Sequence, residues 1–258
     1  MRLIVLAAGQ GERLRPLTDD RPKCLVELAG ETLLDRQLRV AREMGLADIV
    51  VVAGYRAEQL HRPGIAVVVN EHYATTNMVR SLFCAERFFG EGFVLSYGDI
   101  AYAPGVLRRL LGDSSPVAVA VDCDWRRYWE MRFVDPLRDA ESLRTDGDGR
   151  IVSIGRKETE IERIEAQYIG LLALRGRGVD MLRDAYRAAE ESARLGRGPF
   201  DRDVPLQRLF MTDLLQGMVD LGYPVAAVPI DGGWVEVDSL SDLHLAERLV
   251  AAGRLAGV

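Results

Sequence analysis

Short apolar runs alternate along this chain with segments in which apolar residues recur every three or four positions. The first run, Arg2–Ala7, has the length and composition of a buried strand, and Thr32–Met44 has the spacing of an amphipathic helix. This alternation predicts an α/β protein. Further strands are expected at Asp48–Ala53, Ile65–Asn70, Phe93–Tyr97, Val117–Val121, Gln167–Leu174, Val225–Ile230 and Trp234–Val237. Further helices are expected at Thr76–Phe88, near 178–193 and 204–221, and at Ser239–Ala252.

The alternation of strand-like and helical segments is interrupted after Val121, where the chain becomes rich in Trp, Arg and Asp up to about residue 155. The tetrapeptide Asp-Gly-Asp-Gly at 146–149 is a hairpin-turn signal between the strand-like segments 142–145 and 150–154. The sequence contains no Pro-, Gly- or Ser-rich linker. We therefore expect a single domain over residues 1–258, with a small hairpin-bearing insertion in its second half.

The composition excludes several classes of protein. The 258 residues are 48% hydrophobic and 28% charged, which is ordinary for a globular protein. The three scattered cysteines do not form a disulfide framework, and they fit a reducing cytoplasm. The net charge of −6 argues against a nucleic-acid partner, and no apolar run is long enough to span a membrane.

The loop after the first strand is the most informative segment. Residues 6–18 read LAAGQGERLRPLT, and Pro22-Lys23 follows. Small residues and two glycines after a buried strand allow backbone N–H groups to approach an anion, and Arg13 and Lys23 can place positive charge beside it. The third glycine of the Rossmann fingerprint and the Gly-Lys-Ser/Thr of Walker A are both missing. The segment is therefore a phosphate loop of another type.

The string from residue 6 to residue 25 resembles LAAGxGxRLxPLTxxxPKxL, the N-terminal motif of the sugar-phosphate nucleotidyltransferase superfamily. The resemblance implies an α/β, Rossmann-like three-layer fold with a mixed central sheet. It also implies Mg²⁺-dependent transfer of a nucleoside monophosphate from an NTP, with release of pyrophosphate. By this resemblance, Arg13 and Lys23 hold the NTP phosphates and stabilise charge in the transition state. The nucleotide-binding half would be about 1–121 and the acceptor-binding half about 122–258.

Two aspartates are the candidate metal ligands. Asp99 follows an apolar strand, at the end where α/β sheets bind their ligands, and Mg²⁺ prefers one or two carboxylates with substrate phosphates. Asp238 lies near the C-terminus, with Glu236 on the same face of a strand. The structural alternative for Asp99 is a turn residue, and the alternative for Asp238 is the N-cap of the last helix. The family resemblance favours the metal role for both, with Glu236 as a support for Asp238.

The sequence offers no histidine with the spacing of a general base, and His61, His72 and His244 are expected at the surface. This absence agrees with the implied chemistry. A phosphate acceptor has a second pKa near ~6, so it is already an anionic nucleophile at neutral pH. The protein needs only to align it and to neutralise the NTP.

Residues 70–82 resemble the N-x-x-Y-x-x-T-N-x-x-x-S-L stretch of the phosphocholine and phosphonate cytidylyltransferase branch. Further segments that resemble this branch begin at Trp125, Asp139, Ile154, Gln167 and Met211. The branch implies CTP as the donor, and an asparagine offers both a donor and an acceptor to a pyrimidine edge. The nucleotide-binding residues are predicted to be Leu6, Ala7, Ala8, Gly9, Gly11, Arg13, Lys23, Gly54, Asn70, Asn77, Ser81 and Gly98.

The acceptor is expected to be a small phospho- or phosphono-compound of the phosphocholine, aminoethylphosphonate or phospho-amino-acid type. The aromatic residues 125, 128 and 129 either belong to the core or form a box for a quaternary ammonium group. Arg132 and Lys157 would neutralise the acceptor's phosphate. The predicted acceptor-binding residues are Trp129, Arg132, Lys157, Gln167 and Tyr168.

Two other functions stay open at this point. A sugar-1-phosphate uridylyl-, thymidylyl- or guanylyltransferase would share the phosphate loop. A non-catalytic regulatory subunit would share the fold, but such a subunit is expected to lose Arg13, Lys23, Asp99 or Asp238, and all four are present. The sequence leaves a homodimer open.

Overall fold

The computed structural model describes residues 1–255, apart from the side chain of Asp201. The strands are β1 (Arg2–Ala7), β2 (Glu27–Leu28), β3 (Glu31–Thr32), β4 (Ile49–Ala53), β5 (Ile65–Val69), β6 (Gly92–Tyr97), β7 (Ile100–Tyr102), β8 (Val117–Asp122), β9 (Glu141–Thr145), β10 (Ile151–Lys157), β11 (Gln167–Arg175), β12 (Ala226–Ile230) and β13 (Trp234–Glu236). The α-helices are α1 (Leu33–Glu43), α2 (Met78–Cys84), α3 (Pro104–Gly112), α4 (Trp125–Arg132), α5 (Arg177–Arg194), α6 (Met211–Asp220) and α7 (Leu240–Ala251).

Seven strands form the central sheet, in the order β12-β8-β11-β6-β1-β4-β5. β1 pairs in parallel with β4 and β6, β4 with β5, and β8 with β12, while β11 runs antiparallel to both of its neighbours. The sheet is therefore mixed, with strands from both halves of the chain. This confirms the predicted α/β fold with a mixed central sheet.

Helices cover both faces of the sheet because its central strands are apolar on both sides. In β1, Leu3 and Val5 pack into one hydrophobic cluster with α1, α3 and α7, whereas Ile4 packs into a second cluster with α2, α5 and α6. Successive side chains of a strand point to opposite faces, so this single strand contributes to both clusters. The result is the three-layer arrangement that the sequence predicted.

Several element boundaries follow from local capping. The Thr32 hydroxyl accepts from the backbone N–H of Asp35 and begins α1, and Ser239 does the same for α7 through Asp242. Asp238 is therefore not the N-cap of the last helix, which leaves its carboxylate for other contacts. The helix expected at Thr76–Phe88 is shorter, because α2 ends at Cys84 and a 3-10 turn follows.

Elements that the sequence did not predict lie next to the site. Helix α4 carries the aromatic residues after Val121, and the short strand β7 pairs antiparallel with β13. The hairpin predicted around residues 146–149 is present as β9 and β10. In the part of the chain that the structure describes, no helix is both long and apolar enough to cross a membrane.

Candidate active site

The phosphate loop leaves the carboxyl end of β1, in the middle of the sheet. Gly11 has φ +74°, and a Cβ there would lie 2.9 Å from Cβ of Lys23, so the loop requires glycine at this position. The hydroxyl of Thr18 donates to the carbonyl of Gly11 at 2.8 Å and closes the loop. Gly9 is exposed, and a Cβ there would meet nothing within 4 Å, so its backbone faces open space. The loop therefore packs against Lys23 at Gly11, and it is open to a ligand at Gly9.

The ladder between β7 and β13 brings the predicted metal ligands together. Glu236 pairs with Ile100, and the N–H of Val237 donates to the carbonyl of Asp99 at 2.9 Å. As a result, Asp99, Glu236 and Asp238 each offer a carboxylate oxygen within 4.8 Å of the others. The strand predicted at Trp234–Val237 is present as β13, whereas β7, which is also only three residues long, was not predicted from the sequence.

The two predicted phosphate-binding cations both contact these carboxylates. Nζ of Lys23 lies 2.7 Å from Oδ2 of Asp99 and also contacts Oδ1 of Asp238. Nη2 of Arg13 lies 2.8 Å from the other oxygen of Asp238. The Lys23 side chain is 13% exposed, whereas that of Arg13 is 67% exposed. Lys23 is thus an interior member of the cluster and Arg13 covers it from outside.

The crowding of like charges shifts the protonation equilibria. Burial raises the pKa of Glu236 to about 7, and the neighbouring Asp238 carboxylate adds to this rise. Burial also acts on Asp238, but the Lys23 ammonium outweighs it, and the pKa of Asp238 is lowered. Burial would lower the pKa of Lys23, but Asp99 and Asp238 outweigh it, and this pKa is raised. Near neutral pH, Lys23 is charged and Asp238 is ionised.

The carboxylate cluster fits a hard divalent cation. All three side chains offer oxygen, which is the ligand type that Mg²⁺ prefers. Oδ1 of Asp99 is buried and has no hydrogen-bond partner among the described residues, although a buried carboxylate oxygen normally has one. This oxygen is therefore available to a cation, and Asp99 and Asp238 are the residues that would hold it, with Glu236 beside them.

A pocket of about 160 Å³ lies between the phosphate loop and α2. Its lining residues come from β1, the phosphate loop, the turn before α2, α2 itself and the end of β6. They are Leu6, Ala8, Gly9, Tyr73, Thr76, Asn77, Met78, Ser81, Tyr97 and Asp99. Five predicted nucleotide-binding residues are among them. The other seven, Ala7, Gly11, Arg13, Lys23, Gly54, Asn70 and Gly98, are not. A Cβ on Gly54 would lie 2.6 Å from Cβ of Tyr73, so that glycine makes room for the pocket wall.

Asn70 acts behind this pocket rather than in it. Its side chain is buried, and its Oδ1 accepts from the backbone N–H of His72 at 3.0 Å. That contact fixes the amide orientation, and Nδ2 then donates to Thr76 Oγ1 at 2.9 Å and to Ser81 Oγ at 3.0 Å. The direct base contact that the sequence predicted for Asn70 is not supported, because all its polar groups are used within the protein. Ser81, whose Oγ accepts from Asn70, does line the pocket.

A second pocket of about 240 Å³ adjoins the first, and Met78 and Tyr97 line both. Its walls include aromatic rings and three acidic side chains, Asp139, Glu141 and Glu236. Because Asp99 lines the first pocket and Glu236 the second, the carboxylate cluster lies where the two pockets meet. Two small molecules bound side by side would therefore face each other across this cluster.

Three of the five predicted acceptor-binding residues line this second pocket. Trp129 is 4% exposed, and its indole Nε1 donates to Asp139 at 2.9 Å. Tyr168 has a buried hydroxyl without a hydrogen-bond partner among the described residues. Gln167 uses its amide to join β11 to the backbone of Glu141. The Lys157 side chain lies outside the lining, with Nζ 2.8 Å from the carbonyl of Asp139.

Arg132 was predicted to bind the acceptor, but it does not line the second pocket. Its side chain is 1% exposed, and it is paired with Glu236 and Asp242. A buried guanidinium with two carboxylate partners is not free to neutralise an acceptor phosphate, so the geometry does not support that role. Trp125 and Tyr128, on the same helix, belong to the core.

Other lining residues were not singled out from the sequence. Asp139, Glu141, Gly155 and Thr212 lie within segments that resemble the cytidylyltransferase branch, so that resemblance was the signal that could have identified them. The three histidines are exposed, as expected, and none lines either pocket.

Comparison with known proteins adds independent findings. Residues 3–163 match the family model described as the MobA-like NTP transferase domain. The chain is 33% identical over 256 residues to the CTP:phosphoglutamine cytidylyltransferase of Campylobacter jejuni, covering 95% of this chain and 98% of that protein. It is 28% identical over 256 residues to the CMP-5'-(3-aminopropyl)phosphonate synthase of Streptomyces rubellomurinus, covering 96% of this chain and 38% of that protein. The solved CTP:phosphocholine cytidylyltransferase of Streptococcus pneumoniae has a TM-score of 0.72 and 19% identity, with coverage of 96% and 98%.

Proposed function

The chain belongs to the MobA-like NTP transferase family and is a nucleotidyltransferase, and on that premise we propose that it transfers CMP from CTP to a small acceptor carrying a phosphate or phosphonate. An acceptor oxygen attacks the α-phosphorus of CTP, the bond from that phosphorus to the bridging oxygen breaks, and pyrophosphate leaves with the electron pair. The observation that carries the proposal is the meeting of two pockets at one cluster of carboxylates and cations.

Each group of the cluster has a distinct part in this reaction. Asp99 and Asp238 would hold a divalent cation, which we take to be Mg²⁺, and the ion would supply neutralisation of the phosphate oxygens. Lys23 and Arg13 bind the phosphates and stabilise the charge that develops on the leaving pyrophosphate. Lys23 must exchange its carboxylate partners for phosphate oxygens to do so. The acceptor needs alignment but no general base, because it is anionic at neutral pH.

The chemistry of the second pocket supports an acceptor with a positively charged group. Three acidic side chains line it, and the rings of Trp129 and Trp234 lie beside them. Carboxylates and aromatic faces both attract an ammonium group. The relatives from Campylobacter jejuni and Streptomyces rubellomurinus are named for phosphoglutamine and an aminopropylphosphonate, and we include acceptors of this kind, with phosphocholine, in the proposal. The proposal includes a cytoplasmic location, which the three scattered cysteines favour.

The test is a pyrophosphate-release screen with purified protein. CTP, UTP, dTTP and GTP are each combined with phosphoglutamine, phosphocholine, aminoethylphosphonate and hexose-1-phosphates, in the presence of Mg²⁺ and after its removal by EDTA. We expect release with CTP and an acceptor that carries an amino or ammonium group, and mass spectrometry should identify the CMP-linked product. Turnover with UTP or dTTP and hexose-1-phosphates alone would replace the proposal with the sugar-nucleotide function. Absence of release with every pair would contradict both.

A further inference from the structure

Arg132 lies at the end of α4, beside the carboxylate cluster. Its Nη1 is 2.6 Å from Oε2 of Glu236, and its Nε donates to Oδ1 of Asp242 at 3.0 Å. The guanidinium also lies over the rings of Tyr128 and Phe133, 5.4 and 5.0 Å from their centroids. Charge pairs and cation–π contacts thus surround this side chain, which is 1% exposed, and fix its position.

Asp242 connects Arg132 to the candidate metal ligand Asp238. One oxygen of the buried Asp242 carboxylate accepts from Arg132. The other accepts from the backbone N–H of Asp238 at 3.2 Å and from the Ser239 hydroxyl at 2.8 Å. A buried carboxylate is stable only if its charge is paired. Arg132 therefore keeps Asp242 in place, and Asp242 in turn holds the backbone at Asp238.

Tyr128 holds the same segment one helical turn before Arg132. Its hydroxyl accepts from the backbone N–H of Glu236 at 3.0 Å and donates to the carbonyl of Glu236 at 3.2 Å. Residues four apart share one face of a helix, so Tyr128 and Arg132 act on the segment together. Helix α4 thus contacts the metal-ligand segment at the backbone of Glu236, at its carboxylate and, through Asp242, at Asp238.

We propose that Arg132 is a positioning residue of the nucleotidyl transfer, which orients Glu236 and Asp238 toward the divalent cation and does not contact the acceptor. The proposal rests on the proposed function, because that function includes the cation. Outer partners of metal ligands set ligand orientation, and their loss typically weakens metal binding by ~10–100-fold. We expect an effect of this size on the cation, with the acceptor KM unchanged within about twofold.

The experiment compares wild type with Arg132→Lys and Arg132→Met. Mn²⁺ binding is measured by electron paramagnetic resonance in the presence of a non-hydrolysable CTP analogue, and the acceptor KM and the Mg²⁺ requirement are measured by pyrophosphate release. Lysine keeps the charge but lacks the planar fork that reaches two carboxylates, so Arg132→Lys should already weaken Mn²⁺ binding. Arg126→Met is the matched control, because Arg126 is on the same helix, 55% exposed and paired only with Glu130 among the described residues.

The outcomes separate the possible roles. Weaker Mn²⁺ binding with an unchanged acceptor KM supports the proposal. A raised acceptor KM with unchanged Mn²⁺ binding would make Arg132 an acceptor contact and overturn it, as would no change in either quantity. If wild type itself binds no Mn²⁺, the proposed function fails first, and the positioning role fails with it.

Two milder variants keep the proposal testable if the Arg132 variants do not fold. Asp242→Asn removes the charge that Arg132 faces while keeping the size of the side chain. Tyr128→Phe removes only the hydroxyl that holds the backbone of Glu236. Both variants should weaken Mn²⁺ binding and leave the acceptor KM unchanged, and unchanged Mn²⁺ binding in folded Asp242→Asn would overturn the proposal.

Discussion

Nζ of Lys23 lies 2.7 Å from Oδ2 of Asp99, and the same ammonium contacts Asp238. Asp99 and Asp238 are also the residues that would hold the proposed cation, so the Lys23 ammonium and the cation compete for the same two negative charges. When the cation occupies the carboxylates, Lys23 becomes available to the NTP phosphates. The cation and CTP are therefore expected to bind more tightly together than either does alone, as a reciprocal coupling between two ligands.

The competition predicts an unusual effect of Lys23→Met. Without nucleotide, Mn²⁺ binding should become tighter by about tenfold or more, because a positive charge beside both carboxylates is removed. Turnover should fall by about 10²–10³, because a contact to the developing pyrophosphate charge is lost. Titration of Mn²⁺ followed by electron paramagnetic resonance checks the first effect, and steady-state kinetics checks the second. Weaker Mn²⁺ binding in this variant would refute the competition.

Asp99→Ala and Asp238→Ala should each abolish activity without unfolding the protein. Loss of a cation ligand removes several kcal/mol of charge stabilisation in the transition state, which corresponds to at least ~100-fold in rate. Circular dichroism and thermal melts check the fold, and Asp148→Ala, in the exposed β9–β10 turn, is the matched control. Near-full turnover of either variant at limiting Mg²⁺ would reassign that aspartate to a structural role.

Arg13→Ala should lower kcat more than it weakens CTP binding. Arg13 is largely exposed and contacts Asp238 from the solvent side, so it can turn to the phosphates of a bound NTP. A contact that strengthens as charge builds on the leaving group affects kcat by about 10²–10³. Arg15→Ala, which removes an exposed pair with Asp19, is the control and should change neither quantity. An increase in KM alone would indicate uniform binding instead.

CTP should be preferred over UTP by about tenfold to a few hundredfold in kcat/KM, since an unpaired buried polar group costs roughly 1–3 kcal/mol. Ser81 lines the first pocket and its Oγ already accepts from Asn70, so we expect its hydroxyl to act toward the base as a donor. The ring nitrogen of cytosine accepts such a hydrogen, whereas that of uracil carries its own. Competition between the two nucleotides measures the preference, and Ser81→Ala should reduce it. Equal use of UTP by wild type would overturn the cytidylyl assignment.

Glu141→Gln should raise the KM for acceptors with an ammonium group by about ten- to a hundredfold, since hydrogen bonds to charged groups contribute ~1.5–3 kcal/mol. Burial raises the pKa of Glu141, and Lys157 partly offsets this. In wild type, this KM should therefore rise as the pH falls through the raised pKa and the carboxylate is protonated. Measurements of KM against pH check this prediction. Glu160→Gln is the control, because the Glu160 side chain is exposed to solvent.

The raised pKa of Glu141 also makes the free energy of unfolding depend on pH. The folded protein binds more protons at Glu141 than the unfolded chain does between the unfolded and the folded pKa. This carboxyl therefore lowers the free energy of unfolding as the pH rises through that window. Glu141→Gln removes this contribution to the pH dependence of the free energy of unfolding, and chemical denaturation at several pH values measures it.

The KM prediction has its own opposing outcome. An acceptor KM that does not depend on pH in wild type would exclude Glu141 from acceptor binding.

The sequence alone predicted the enzyme class and most of the fold. The nucleotidyltransferase superfamily, the cytidylyltransferase branch and the mixed α/β sheet are all confirmed. These features were accessible because their signals are local. Strand and helix periodicities repeat within a few residues, and the phosphate loop is one continuous string with fixed spacing.

Only the tertiary structure decided which side chains work together. The β7–β13 ladder brings Asp99 close to Asp238, which lies far along the chain, and the sequence predicted β13 but neither β7 nor the pairing of the two strands. Arg132 was expected to neutralise the acceptor's phosphate, but it is paired with Glu236 and Asp242, which lie far along the chain. Residue type indicates what a side chain can bind, whereas burial and long-range pairing determine what it does bind.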